Sequence, residues 1–179
     1  MKKLIIPLFI LLFLFNSSLS FAQNSTPDAK LIERVNYDLP YPGILPDSPL
    51  YFLKAVRDNL IGFFITDPLK KAEYNLLQAD KRLEASQKLY EKKKYDLSIT
   101  TLSKSGNYFY YAIEKAAEAK KQGEDVNPLL QKLLNASKKH QEIILNMKDS
   151  LKDKRADTYQ TFFERARSFQ DKVQQVMHS

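Results

Sequence analysis

Apolar and polar positions along the chain alternate with a helical period, and prolines punctuate the pattern. Between residues 68 and 92, Leu69, Ala72, Leu76, Ala79, Leu83 and Tyr90 recur in steps of three, four and seven, while Lys71, Lys81 and Glu84 lie mostly elsewhere. That period gathers the apolar residues on one side of an α-helix. Small alanines on the stripe allow a neighbouring helix to come close. The stretch EKKKYD interrupts the pattern, and Asp96 is placed to start a third helix ending near Gln122, where QGEDVNP supplies a glycine stop. Asn127-Pro128 then repeats the start signal of Asp67-Pro68: a side chain that can cap free N–H groups, then a proline that loses no hydrogen bond in the first turn. A fourth helix is predicted over 128–152 and a fifth over 156–177, the latter amphipathic through Phe162, Ala166, Phe169, Val173 and Val176. No glycine or proline separates these two.

Ser48-Pro49 gives the same start signal to a shorter helix over 49–65, with Leu50, Leu53, Val56, Leu60 and Phe64 on one stripe and Ile61 beside it. Four of the eight prolines lie within residues 40–49. Each fixes its own φ and pushes its predecessor toward extended geometry. Residues 23–47 therefore read as a leader, flexible at first and extended near Pro40, with one amphipathic patch at Leu31, Ile32 and Val35. The stiff part is expected to strap across the helices with Tyr41, Ile44 and Leu45 as apolar pegs.

The second, third and fourth helices are each about 25 to 28 residues, or ~37 to 42 Å long. Matched rods joined by short turns favour antiparallel neighbours. The predicted fold is all-α: an up-and-down antiparallel bundle of three to four long helices, spanning 48–177, preceded by a short helix and the proline-rich strap. A tetratricopeptide array is the competing topology, but the chain has one such hairpin and no 34-residue echo of it, where a solenoid needs about three repeats.

The first residues add a destination. Lys2 and Lys3, the apolar run Leu4 to Phe15, and Ser20-Phe21-Ala22 form a secretory signal over residues 1–22, with cleavage expected between Ala22 and Gln23. Removing it lowers the formal net charge from +7 to +5. That charge is scattered lysine among acids, which supports only weak peripheral contact with an anionic envelope surface. No cysteine is present, so there are neither disulfides nor thiolate metal sites, and the four glycines with no tryptophan argue against a β-rich fold.

Pro42-Gly43, Leu45-Pro46, Ser48-Pro49, Tyr51 and Leu53-Lys54, followed by Asp67-Pro68 and the helix through Arg82-Leu83, carry a resemblance. Over roughly residues 42 to 148, including His140-Gln141-Glu142 and Leu145, the chain resembles a family of secreted bacterial domains catalogued only as a domain of unknown function. The resemblance implies an exported all-helical domain of bacterial origin and offers no catalytic residues to carry over.

Chemistry-bearing residues are few. His178 is next to the C-terminus. Leu133, Ser137, His140 and Ile144, continued by Met147 and Leu151, share one helix face, so the His140 imidazole is expected in the core. It is read as a hydrogen-bonded structural histidine, bonded for instance to a tyrosine hydroxyl. The sharper reading is a haem or small apolar ligand held near His140. Ser137 and Gln175, three residues before the two histidines, do not supply the Glu-x-x-His of di-iron bundles. No Gly-x-Ser-x-Gly turn and no glycine-rich phosphate loop is present, and the acids lie on charged helix faces. Neither enzyme activity, a cofactor nor nucleic-acid binding is expected.

The strongest binding motif is SGNYFYYAIEK. At 100° per residue, Phe109 and Tyr110 fall with Leu102, Gly106 and Ile113 on the core side, whereas Tyr111 falls with Lys104, Asn107, Lys115 and Glu118. Tyr111, with Tyr108 beside it, is therefore exposed or covered by another element. Tyr108, Tyr111, Lys104 and Lys115 are the expected partner-binding residues, for a protein or a cell-wall glycan. Gly106 marks close packing against a neighbour. The expected function is a non-enzymatic exported module that binds or scaffolds at the cell envelope. A membrane-peripheral role through LIGFFI, residues 60–65, is a variant of it.

Overall fold

The computed structural model describes residues 35–179. The signal segment, its Ala22/Gln23 cleavage point and the leader up to residue 34 lie outside the described residues. Five helices follow one another: α1 (Tyr51–Phe64), α2 (Pro68–Glu91), α3 (Tyr95–Lys121), α4 (Asn127–Asp149) and α5 (Arg155–His178). The fold is the predicted all-α bundle, and of the three to four long helices expected behind the short one, four form.

Local chemistry explains the helix ends. Asp67 is extended, and its carboxylate accepts the Lys70 N–H at 2.7 Å ahead of α2. Asn127 does not cap α4. It is already helical, because Val126 is buried in the core one step earlier, and Asp125 Oδ1 accepts the Asn127 N–H at 3.1 Å instead. Asp96 sits inside the first turn of α3, where its charge complements the helix dipole rather than capping it. α1 begins two residues later than predicted, because Ser48 to Tyr51 close a tight turn in which Tyr51 N–H donates to Ser48 O at 3.1 Å.

Hydrogen-bonded pairs give the topology. Ser105 donates to Ala79 O and Ser86 to Ser98 O, so α2 and α3 are antiparallel. Gln141 meets Gln170 and Lys148 meets Gln160, so α4 and α5 are antiparallel too. Between these hairpins like lies beside like. Ser98 meets Tyr159 and Asn107 meets Arg165 along α3 and α5, while Asp80 meets His140 and Tyr90 meets Met147 along α2 and α4. Both inter-hairpin pairs of helices are parallel. α3 and α4, consecutive in the chain, meet far less than α3 and α5 do.

Two apolar clusters fill the bundle. One gathers Leu76, Phe109, Ile113, Leu130, Leu133, Phe169 and Val173, and the other Leu83, Leu102, Ile143, Ile144, Met147 and Tyr159. Ala72, Ala79, Ala112 and Ala116 are fully buried, as close helix approach requires. At Gly106 a Cβ would meet the Arg165 guanidinium at 3.0 Å, so the neighbour packed closely there is α5.

The strap runs beside α2, but with other pegs than predicted. Of the expected pegs Tyr41 and Ile44 are exposed and Leu45 is half-buried, while Tyr37, Leu39 and Pro42 point inward. Alternate residues of an extended chain face the same side, which puts 37 and 39 together, and Gly43 at φ +72° then turns the backbone. At the far end Asp47 bridges Lys92 and Lys94 at 3.1 and 2.9 Å. Those two cations hold its carboxyl below the usual range.

Candidate functional site

α1 is mounted with its apolar stripe outward, a direction that the helical period left open. Leu50, Leu53, Val56, Leu60, Ile61 and Phe64 are all exposed, as are Phe52 and Phe63. The inward edge is Lys54, Asp58 and Gly62, one helical turn apart from each other. Specific partners hold it there. The Tyr74 hydroxyl donates to the backbone carbonyl of Asp58, and Lys71 Nζ donates to Gly62 O at the carbonyl-rich end of α1. The absent side chain of Gly62 lets the Tyr74 ring approach to where a Cβ would stand 3.0 Å from Cε1.

Charge is confined beneath this helix. Lys54 is 9% exposed and Asp58 4%, and they face each other at 4.0 Å. Arg57 closes on Asp58 at 2.8 Å from the solvent side. Burial lowers the Lys54 ammonium pKa, an effect that Asp58 partly opposes. Burial next to Asp58 pushes the Tyr74 hydroxyl up to about 12.

Between α1, α2 and α3 an open cleft of about 450 Å³ remains. Tyr74, Tyr108, Tyr111 and Phe63 supply its aromatic walls, and Lys71 and Lys115 its cations. Tyr111 is 55% exposed, while Tyr108 is half-buried with the Arg82 guanidinium 4.1 Å above its ring. Three of the four residues expected to bind a partner, Tyr108, Tyr111 and Lys115, are thus brought together. Lys104 is exposed but does not line the cleft. Tyr110 does not join Phe109 in the core as predicted. It is over a third exposed, edge-on to Tyr111 and 5.8 Å from Lys172 Nζ, because it stands at the boundary of the buried arc. Sequence reasoning missed Tyr74, Lys71, Asp58 and Phe63. The signal available was the polar i, i+4 pair Lys54/Asp58 within an otherwise apolar helix, followed by Gly62 in the same register.

His140 is 2% exposed, in the core as expected. Its Nε2 lies 2.9 Å from Asp80 Oδ1 and donates to it, and the Phe109 ring stands edge-on at 4.8 Å. Tyr37 donates its hydroxyl to the other oxygen of Asp80. The tyrosine partner thus binds the histidine's carboxylate rather than the imidazole. Among the described residues no group of three or more His, Asp or Glu is placed to hold a metal ion.

A family model described as Domain of unknown function (DUF5667) matches residues 43–154. It covers the end of the strap, α1 to α4 and the turn before α5, and so includes every wall of the cleft. Neither the curated proteins nor the solved structures yield a match.

Proposed function

We propose, from the premise that the chain belongs to this family of unknown function, that it is an exported, non-enzymatic helical domain that binds a partner protein at the bacterial cell envelope through the aromatic cleft. The observation that carries the reading is the convergence of Tyr74, Tyr108, Tyr111 and Phe63 from three helices onto one open surface with Lys71 and Lys115 at its margin. Tyrosine rings with a charged border make the energetically dominant centre of many interfaces, since each ring contributes large contact area at little conformational cost. The bundle supports them rigidly: Arg82 stacks on Tyr108, and the hydroxyl of Tyr74 is tied to α1. The alternative of a haem or small-ligand site at His140 draws no support from its surroundings, because Asp80 occupies Nε2 and Phe109 covers the ring.

A photo-crosslinking amino acid placed at Tyr111, and separately at exposed Lys132 on α4, tests the reading in the producing cells. A discrete adduct from position 111 alone, weakened by Lys115→Glu, supports it. Equal labelling from both positions, or none, removes it. Envelope fractionation with N-terminal sequencing tests export, with Gln23 as the expected first residue.

A further inference from the structure

The outer side of α1 carries a second inference, which shares only Phe63 with the cleft. At 100° per residue, Phe52, Phe63, Val56, Leu60, Leu53 and Phe64 follow one another around an unbroken apolar arc of about 120°. Its midpoint lies opposite the Lys54–Asp58–Gly62 edge that packs on the bundle. All six are exposed, Phe63 at 78% and Phe64 at 75%. An amphipathic helix ordinarily buries such an arc, yet here its polar edge is the part that is bonded inward.

We infer that α1 is an interfacial anchor that lies flat on an anionic lipid surface with this arc among the acyl chains. Shape is the first reason. The arc is a continuous convex surface on the outer side of α1, which fluid acyl chains cover without needing a preformed groove. Charge is the second. Asp58 is the single acid of α1 and is buried against Lys54 and Arg57. The charge left at the edge of the arc is Arg57, with 63% of its side chain exposed. Lys54 and Arg57 against the one carboxylate of Asp58 leave α1 a single excess positive charge and no exposed acid, which suits anionic headgroups. Length is the third. The 14 residues of α1 extend ~21 Å, short of a ~30 Å hydrocarbon core, and none of the described helices is long and apolar enough to cross a membrane. The helix therefore lies in the interface, pre-oriented by Tyr74 and Lys71.

The chain contains no tryptophan, so Leu60→Trp puts a single reporter at the middle of the arc, and Gln174→Trp puts one on exposed α5 as a control. Full-length Leu60→Trp protein mixed with phosphatidylglycerol vesicles brominated in their acyl chains is expected to show blue-shifted, quenched emission. The Gln174→Trp protein is expected to show neither. Adding Leu53→Glu to the Leu60→Trp protein changes an exposed position, so the circular dichroism melt is retained while vesicle partitioning falls about tenfold or more. Absent quenching at position 60, or quenching unaffected by Leu53→Glu, overturns the assignment. Blue-shifted emission in vesicle-free buffer that grows with protein concentration alongside a dimer mass also overturns it, since the face then belongs to a second copy.

Discussion

Tyr37 donates its hydroxyl to Asp80 across 43 residues of sequence, and the same buried carboxylate receives the imidazole of His140. One anion thus ties the strap to α2 and α4. Its two charge-assisted bonds offset the cost of burying it. This is the physical use of the stiffened segment: prolines at 40, 42, 46 and 49 reduce the entropy lost when the strap docks, and Tyr37 supplies the polar lock.

Tyr37→Phe is expected to cost about 1–3 kcal/mol, since it leaves one oxygen of Asp80 buried and short of a donor. His140→Ala is expected to cost more, about 3–5 kcal/mol, because it strips the second donor and opens a void beside Phe109. Tyr41→Phe, at an exposed position of the same strap, serves as the control and should leave the urea midpoint unchanged. Equal midpoints for Tyr37→Phe and Tyr41→Phe would mean that the lock contributes nothing.

Alkali should loosen the fold. Burial raises the hydroxyl pKa of Tyr37, Tyr74, Tyr90 and Tyr159 above the ordinary 10.0, with the charge and hydrogen bond of Asp80 adding to the effect at Tyr37. Above pH 10 the unfolded chain releases protons that the folded chain keeps. The stability contributed by these groups is therefore fully present below pH 10 and falls as pH rises, for Tyr74 through about 12. Urea midpoints should hold level up to pH 10 and then drop, and Tyr74→Phe should make the drop shallower. Tyrosinate absorbance of the native protein should lag behind that of the unfolded chain over the same window.

Much of this architecture was legible in the residues. The Asp67-Pro68 start, the Leu69 to Leu83 stripe and the face shared by Leu133, Ser137, His140 and Ile144 were readable, because a packed helix obeys its own period. α1 was readable as a stripe and unreadable in direction. Periodicity gives a helix two faces, but which one turns inward depended on partners distant in sequence, Tyr74 and Lys71. The cleft was half legible for the same reason. Tyr111 and Lys115 share a turn of α3, whereas Tyr74 and Phe63 reach them only through the tertiary fold. The strap pegs Tyr41 and Ile44 failed because the alternation that turns Tyr37 and Leu39 inward breaks before Pro42, which is buried while Tyr41 is exposed.

The outward mounting of α1 predicts contrasting mutational costs. Phe52→Ser and Leu60→Ser change residues more than half exposed and should change stability by no more than about 0.5 kcal/mol. Leu83→Ala, at a fully buried position of α2, should cost about 2–5 kcal/mol. Chemical denaturation of the three variants checks this. A large cost at Leu60 would mean that the apolar arc is covered in solution.

The helix ends after α2 and α3 put different residue types in the same left-handed conformation, and that difference can be measured. After α3, Gly123 takes φ +85°, its N–H donates to Lys120 O, and the Glu124 N–H donates to Ala119 O. After α2 the same pair of bonds forms from Lys93 to Tyr90 O and from Lys94 to Leu89 O, yet the residue in the left-handed conformation is Lys93, at φ 59°. Both ends are Schellman motifs, and this conformation brings the lysine Cβ into a clash that glycine escapes. Lys93 is exposed, so replacing it forfeits no burial. Lys93→Gly should therefore stabilise the protein by about 0.5–1 kcal/mol, while Gly123→Ala, which installs the same strain in the other turn, should destabilise it by about 1 kcal/mol. Opposite shifts in melting temperature for the two variants are the expected outcome. A loss of stability with Lys93→Gly would show that unfolded-chain entropy outweighs the relief of backbone strain at that turn.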